Sequence, residues 1–212
     1  MSIPTPSRLV RQELIALLNR SQEYAMTLIL APAGYGKSTL LSQWFACSER
    51  KQLKLNLTRR DADPLFFLQR LNQGLHEHIP DYVMLPCNAL STDFEQVDIL
   101  AGLLADSLSR CNNDFWLILD DFHFISSPLI LGIFARLLEN PPSHFHLIIS
   151  SRTHPKFSLS RLKLEDRLLM LDSHDLCLPA EQLPDLCKML NQPALNTREI
   201  HDLIRITEGW LA

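Results

Sequence analysis

The sequence of 212 residues lacks concentrated positive charge. It carries 20 lysines and arginines against 24 acidic residues, with no basic block and a pI close to 6. Surfaces that bind nucleic acid need clustered lysine and arginine. The composition therefore argues against a nucleic-acid interface in this chain, and any DNA contact is expected outside it.

The sequence also lacks paired metal ligands. Its five cysteines are odd in number and scattered without C-x-x-C spacing, which is typical of reduced thiols. Two histidine pairs have a spacing of two, His76 with His78 and His144 with His146, but no cysteine or carboxylate set completes a site with either. We therefore expect no metal site other than one for Mg²⁺.

Long apolar segments are missing as well. The first residues contain no apolar h-region, and no apolar run approaches the length of a membrane span, so a cytoplasmic location is expected by default. Nearly half of the residues, 46%, are hydrophobic, which excludes general disorder. The length suits one domain, or one domain and a fragment.

The most informative stretch is an apolar run at residues 26–30, a small-residue loop at 31–36, and Lys37 and Ser38 opening a helix to about Cys47. Backbone N–H groups of such a loop can hold an anion, Lys37 can contact β- and γ-phosphates, and Ser38 can bind Mg²⁺. Ala31 stands where the phosphate-loop pattern has glycine, a mild change if its φ is negative. The predicted nucleotide contacts here are Pro32, Ala33, Gly34, Tyr35, Gly36, Lys37, Ser38 and Thr39.

A second apolar run, residues 115–119, ends in Asp120 and Asp121. A strand that delivers a carboxylate at its carboxyl end places it where α/β folds bind ligands. We interpret Asp120 as the Mg²⁺ partner, with Ser38, and Asp121 as the residue that orients an attacking water. Taken alone, the run is equally a buried strand followed by a polar turn; its pairing with the loop favours the functional reading.

A third run, residues 145–152, ends in Ser151 and Arg152. The planar, permanently charged guanidinium of Arg152 suits the oxygens of a γ-phosphate. A surface arginine at the end of a strand is the alternative.

Strands near residues 26, 52, 115, 145 and 167 alternate with helical patterns, which predicts an α/β fold with a five-stranded parallel sheet covered by helices on both faces. The predicted helices lie at 8–24, 37–47, 64–78, 94–109 and 128–139, with a loop at 79–93. The segment 176–190, broken by Pro179 and Pro184, and the segment 197–207 are helical without a further strand. We therefore expect a nucleotide-binding domain at residues 1–172 and the incomplete start of a helical lid at 173–212.

The lead-in to the first helix, including Val10 and Arg11, is a candidate for contact with the nucleotide base. An ordinary helix cap explains this lead-in nearly as well.

Several strings together resemble the ATPase module of MalT-like, LuxR-family transcriptional activators, within the STAND class of P-loop NTPases. They follow the family order over essentially the whole chain: Ala31-Pro-Ala-Gly-Tyr-Gly-Lys-Ser-Thr-Leu-Leu-Ser-Gln-Trp44, Asp61-Ala-Asp-Pro64, Leu117-Ile-Leu-Asp-Asp-Phe-His123, Ser150-Ser-Arg152, Ser160-Arg-Leu162 and Thr207-Glu-Gly-Trp210.

The resemblance implies a regulator that holds ADP at rest, exchanges it for ATP when an inducer is sensed, self-associates, and is reset by slow Mg²⁺-dependent hydrolysis. In such proteins a helical-repeat sensor and a C-terminal helix-turn-helix domain follow the module. Two other functions stay open: a P-loop phosphotransferase for a small molecule, and a scaffold that binds partners without hydrolysing nucleotide.

Overall fold

The centre of the molecule is a five-stranded parallel sheet. A computed structural model describes residues 10–47, 50–79, 82–87, 93–111, 113–189, 192–193 and 195–207. In chain order the strands are β1 (Met26–Leu30), β2 (Lys51–Asn56), β3 (Phe115–Asp120), β4 (Phe145–Ser151) and β5 (Leu168–Leu171). Their order across the sheet is β2-β3-β4-β1-β5, and each neighbouring pair is parallel. The predicted α/β fold with five parallel strands is confirmed.

Apolar residues on both faces explain why these segments become central strands. Every residue of β3 and β4 is buried. Alternate positions serve two separate cores, since Leu117 and Leu147 pack on one side of the sheet and Ile118 and Ile148 on the other. A strand that is buried on both faces needs a continuous apolar run, which is what the sequence contains.

The helices cover both faces of this sheet. Their bounds are α1 (Gln12–Asn19), α2 (Lys37–Ala46), α3 (Pro64–His78), α4 (Phe94–Ser109), α5 (Pro128–Glu139), α6 (Ser160–Leu164), α7 (Ser173–Leu176), α8 (Leu183–Met189) and α9 (Thr197–Thr207). Short 3₁₀ turns lie at Arg20–Glu23, Arg59–Ala62, Phe122–Phe124 and Ala180–Gln182. No helix within the described ranges is long and apolar enough to span a membrane.

The turn between β2 and α3 is fixed by two carboxylates. Asp61, fully buried, accepts hydrogen bonds from the backbone N–H and hydroxyl of Thr58 at 2.7 and 2.8 Å and pairs with Arg70. Asp63 caps α3 by accepting from the N–H of Phe66 at 3.0 Å, and Pro64 occupies the first turn. These contacts set the direction in which the chain leaves the sheet edge.

The structure differs from the sequence prediction at three places. The first helix was expected over residues 8–24, but it ends at Asn19 and is followed by a 3₁₀ turn, because Tyr24 must be extended to enter β1. In the segment 176–190 the break expected at Pro179 is present, because Pro179 is extended and separates α7 from the 3₁₀ turn and α8, whereas Pro184 lies in the first turn of α8 and does not interrupt it. The five-residue helix α6 was not predicted.

Other expectations agree with the described residues or lie beyond them. Helices α3, α4, α5 and α9 begin and end where the sequence pattern predicted. Residues 1–9 and 208–212, which include the expected start of the first helix and the end of the lid, lie outside the described residues. The division into two domains at residue 172 stays a prediction.

Replacing Asp61 by alanine should lower the free energy of unfolding by about 3 kcal/mol, because a buried charge pair and a capping contact are lost together. The exposed cap Asp63→Ala is the matched control and should cost about 1 kcal/mol. Urea denaturation of both variants measures the difference; equal losses would show that the buried network adds nothing.

Candidate functional site

A cavity of about 280 Å³ lies at the carboxyl ends of β1, β3 and β4. It is lined by Ala33, Gly34, Gly36, Lys37, Ser38, Thr39, Asp121 and Arg152. These residues come from three distant parts of the chain, and the parallel sheet brings them to one edge. Sequence reasoning singled out each of them as a candidate site residue.

One wall of this cavity is the loop at residues 31–36, in which two positions have backbone conformations that only glycine adopts without strain. Gly34 and Gly36 have φ of 86° and 77°, in the left-handed region. Ala31 is not among the described residues with positive φ, so alanine at this position carries no backbone penalty. Gly36 immediately precedes α2, whose first N–H groups and positive dipole end face the loop. The geometry suits an anion.

Lys37 places one positive charge in the cavity. Lys37 is buried, with 6% of the residue's surface exposed. Its Nζ donates to the backbone oxygens of Ala31 and Pro32 at 2.7 Å each. Burial lowers the pKa of Lys37, while the carboxylate of Asp121 acts in the opposite direction. An anion bound in the cavity would stabilise the charged ammonium in the same way.

Asp120 lies behind the cavity and is 3% exposed. Its Oδ1 accepts hydrogen bonds from the hydroxyls of Ser38, at 3.1 Å, and Ser150. Its Oδ2 lies 3.6 Å from Nζ of Lys54. Ser38 and Asp120, predicted from the sequence as Mg²⁺ partners, are therefore in contact.

This pair of oxygen donors fits Mg²⁺. Magnesium binds oxygen ligands and usually completes its shell with waters and substrate phosphates, so one or two protein ligands suffice. Within the described ranges no group of three histidine, cysteine or acidic side chains is arranged for metal binding. A metal here would depend on phosphate oxygens for the rest of its coordination.

Asp121 is held in an unusual backbone conformation. It has φ 61° and ψ 41°, the left-handed region that asparagine and aspartate tolerate best after glycine. Its N–H donates to the hydroxyl of Ser150 at 3.1 Å. This turn directs the chain from β3 into the 3₁₀ turn and places Asp121 in the lining of the cavity.

His123 stands next to Asp121. Its Nδ1 is 3.6 Å from Oδ1 of Asp121, and this buried nitrogen has no hydrogen-bond partner in the described part of the chain. Burial lowers the pKa of His123, and the charge of Arg152 acts in the same direction. The imidazole is therefore biased toward its neutral form.

Arg152 follows β4 directly, is exposed, and lines the same cavity as the loop. Its positive charge contributes to lowering the pKa of Lys37. An anion bound between Lys37 and Arg152 would offset this repulsion, in addition to the nearby carboxylate of Asp121.

Four predicted nucleotide contacts lie outside the cavity lining. The backbone oxygen of Pro32 accepts a hydrogen bond from Lys37. Tyr35 packs against the core on the side of the sheet that includes Ile118 and Ile148. Val10 is 48% exposed. Arg11 donates to the backbone oxygens of Leu176 and of Cys177, the latter at 2.6 Å. The structure does not bring these residues to the phosphate end of the site, and base contact stays a prediction.

Sequence reasoning missed three residues of the site. Ser150 and His123 stood inside the family strings but were given no role, and Lys54 was treated only as part of a strand. A polar residue directly before Ser151 and Arg152 was the available signal for Ser150. No local signal marks Lys54, because its position beside Asp120 depends on the pairing of β2 with β3.

A larger cavity, of about 650 Å³, lies beside the end of β2. Its lining is Asn56, Leu57, Thr58, Arg59, Arg60, Phe66, Arg70 and Phe124. It contains neither the glycine loop nor a carboxylate, so the smaller cavity has the features of a nucleotide-phosphate site.

The sequence is similar to that of a known transcriptional regulator. The chain is 26% identical over 209 residues to the HTH-type transcriptional regulator MalT of Cronobacter sakazakii, covering 95% of this chain and 22% of the relative. The chain thus spans about a fifth of that protein. No family model matches the sequence.

Solved structures share the fold at low identity. A Walker-type ATPase of Pyrococcus abyssi aligns over 98% of this chain and 67% of its own, with a TM-score of 0.50 and 16% identity. Cdc6p of Pyrobaculum aerophilum aligns over 89% of this chain and 51% of its own, with a TM-score of 0.55 and 17% identity. Both similarities support the P-loop ATPase fold.

Ser150→Ala should reduce the free energy of unfolding by about 1 to 2 kcal/mol, because the fully buried hydroxyl links Asp120 to the N–H of Asp121 and its loss leaves that donor unpaired. Thr27→Val is the matched control: the Thr27 hydroxyl is buried without a partner in the described residues. This control should be neutral or stabilising by up to about 1 kcal/mol. Chemical denaturation compares the two.

Proposed function

We propose that this chain is a MalT-like P-loop ATPase module of the STAND class and that it acts as the ADP/ATP switch of a transcriptional regulator. The observation that carries the proposal is the convergence of Lys37, Asp121 and Arg152 on one cavity walled by a glycine loop. An ammonium, a carboxylate and a guanidinium around an anion-binding loop are the groups that a nucleoside triphosphate tail requires.

Each group has a distinct part in this proposal. The loop N–H groups and the first turn of α2 hold the phosphates, and Lys37 leaves its two backbone acceptors to contact the β- and γ-phosphates. Ser38, with Asp120 behind it, would hold Mg²⁺, and the metal would supply positive charge that neutralises the phosphates. Asp121, with His123 beside it, orients a water at the open side of the cavity.

Arg152 gives the site a means to distinguish ATP from ADP. Only ATP carries a γ-phosphate that can bridge Lys37 and Arg152, which lie on different elements of the sheet edge. A ligand shifts a conformational equilibrium only through its differential affinity for the two states. The bridge supplies such a difference, because ADP leaves Arg152 without a partner phosphate.

The role in regulation rests on resemblance to the MalT relative. In the resting state the module holds ADP; an inducer, sensed by a region outside this chain, promotes exchange for ATP and self-association. Slow hydrolysis resets the module. DNA binding belongs to a helix-turn-helix domain outside this chain, consistent with the absence of a basic block.

A phosphotransferase is the second candidate because of the 650 Å³ cavity. Arg59, Arg60 and Arg70 line it, beside the same edge of the sheet, and could hold an anionic acceptor. ADP formation that increases with a small acceptor, without a matching release of inorganic phosphate, would favour this function because the γ-phosphoryl group then goes to the acceptor. A scaffold that binds partners without nucleotide would show no thermal stabilisation by ATP.

Lys37→Ala should weaken ADP and ATP binding by about 100-fold or more, since a buried ammonium is lost from the phosphate site. Asp121→Ala should bind ATP within about threefold of wild type and fail to hydrolyse it. Isothermal titration calorimetry and phosphate release measure the two effects, with circular dichroism to verify folding. Unchanged ATP affinity in the lysine variant would contradict the proposed site.

Arg152→Gln should weaken ATP binding by about tenfold, leave ADP affinity within about twofold, and abolish ATP-dependent self-association. Arg161→Gln, on α6 and outside the cavity, is the matched control. Calorimetry and sedimentation velocity with each nucleotide separate the variants. Equal weakening of ATP and ADP would exclude Arg152 as the sensor of the γ-phosphate.

A further inference from the structure

Lys54 reaches Asp120 from the neighbouring strand. Because Asn56 pairs with Asp120 across β2 and β3, Lys54 projects to the same face two residues earlier. Its Nζ lies 3.6 Å from Oδ2 of Asp120, and the two side chains are 12% and 4% exposed. Lys54 is therefore a nearly buried cation in contact with the carboxylate assigned to Mg²⁺.

A second contact anchors this cation to α2. Nζ of Lys54 donates to the hydroxyl of Ser42 at 3.0 Å, and that hydroxyl donates to the backbone oxygen of Ser38 at 2.7 Å. The ammonium is thus attached to the helical turn that carries the other proposed Mg²⁺ ligand. Lys54 is not among the residues that line the cavity, so we expect it to contact Asp120 and not the bound phosphates.

The two oxygens of Asp120 have different partners. Oδ1 accepts from the hydroxyls of Ser38 and Ser150, while Oδ2 faces Lys54. Since Ser38 lines the cavity, a metal would approach from the Oδ1 side. The ammonium on Oδ2 can stay in place whether or not a metal is bound.

A buried carboxylate behind a phosphate site opposes nucleotide binding when no metal is present. The like charges of Asp120 and a diphosphate repel each other, and low exposure leaves little solvent to screen them. Mg²⁺ removes this repulsion when it binds. When Mg²⁺ is absent, the ammonium of Lys54, 3.6 Å from Oδ2, is the positive charge in contact with Asp120.

We propose that Lys54 is a built-in cation that neutralises Asp120 in the absence of Mg²⁺, so that the module retains nucleotide when the metal is lost. The inference rests on the proposed function and concerns the metal dependence of the same site. It has a second consequence: the ammonium opposes the arrival of Mg²⁺, so the metal adds less to nucleotide affinity than it would without Lys54.

The test measures ADP affinity by calorimetry in EDTA and in saturating Mg²⁺. Lys54→Met keeps the length of the side chain and removes the charge. In EDTA this variant should bind ADP about tenfold more weakly than wild type, the order expected for one nearby unit charge. In Mg²⁺ the two proteins should agree within about threefold. The ratio of the ADP affinity in Mg²⁺ to the ADP affinity in EDTA should therefore be about tenfold higher in Lys54→Met than in wild type.

Three variants control the interpretation. Lys54→Arg keeps the charge and should keep the wild-type ratio. Lys51→Met removes an exposed charge from the same strand and should leave the ratio unchanged. Ser42→Ala keeps the charge but releases its anchor, so the ratio should lie between those of wild type and Lys54→Met. A ratio in Lys54→Met equal to that of wild type, with or without weaker binding overall, would overturn the proposal.

A nucleotide-free measurement separates this inference from the proposed function. With Mg²⁺ alone, the midpoint of thermal unfolding should rise more in Lys54→Met than in wild type, because the charge of Asp120 then has no neighbouring ammonium and attracts the metal more strongly. If wild type binds no ADP but this difference is observed, the proposed function fails together with the retention of nucleotide, and only the neutralisation of Asp120 by Lys54 is supported. If ADP binds and neither the ratio nor the midpoint changes, the Lys54 inference alone fails.

Discussion

The burial of one carboxylate, Asp120, determines how the candidate site is built. A carboxylate that is 3% exposed at the end of a central strand is unfavourable unless its oxygens have partners. Here the partners come from α2, β4 and β2, through Ser38, Ser150 and Lys54. Satisfying this one charge fixes three neighbouring elements relative to each other. The cavity in front of Asp120 thereby has a defined shape before any ligand enters.

The same region contains three unfavourable local features. Burial lowers the pKa of Lys37, and Asp121 has left-handed backbone dihedrals. A buried nitrogen of His123 lacks a hydrogen-bond partner among the described residues. Features of this kind cost free energy and gather where a ligand can compensate for them. An anion between Lys37 and Arg152 would offset the first of these costs directly. This is the physical reason to place function here rather than in the larger cavity.

The sequence predicted those elements whose cause is local. Helix α3 begins at Pro64 because Asp63 can cap it, and β3 and β4 are strands because continuous apolar runs require burial on both faces. The order of the strands, the contact of Lys54 with Asp120 and the position of Ser150 depend on pairing between distant segments, which periodicity does not encode. Helix α6 was missed because five residues with a single buried side chain, Leu162, have no visible period.

The contacts of Arg11 bear on where a lid could move. Leu176 is 1% exposed and belongs to the core that includes α1, while Arg11 donates to the backbone oxygens of Leu176 and Cys177. Leu178, 3% exposed, is buried directly after them. Although residues 173–178 follow the last strand, they are packed on the sheet domain. Any motion of the predicted lid must therefore begin after this segment or break these contacts, and Arg11 would then report the state of the lid rather than the presence of a base.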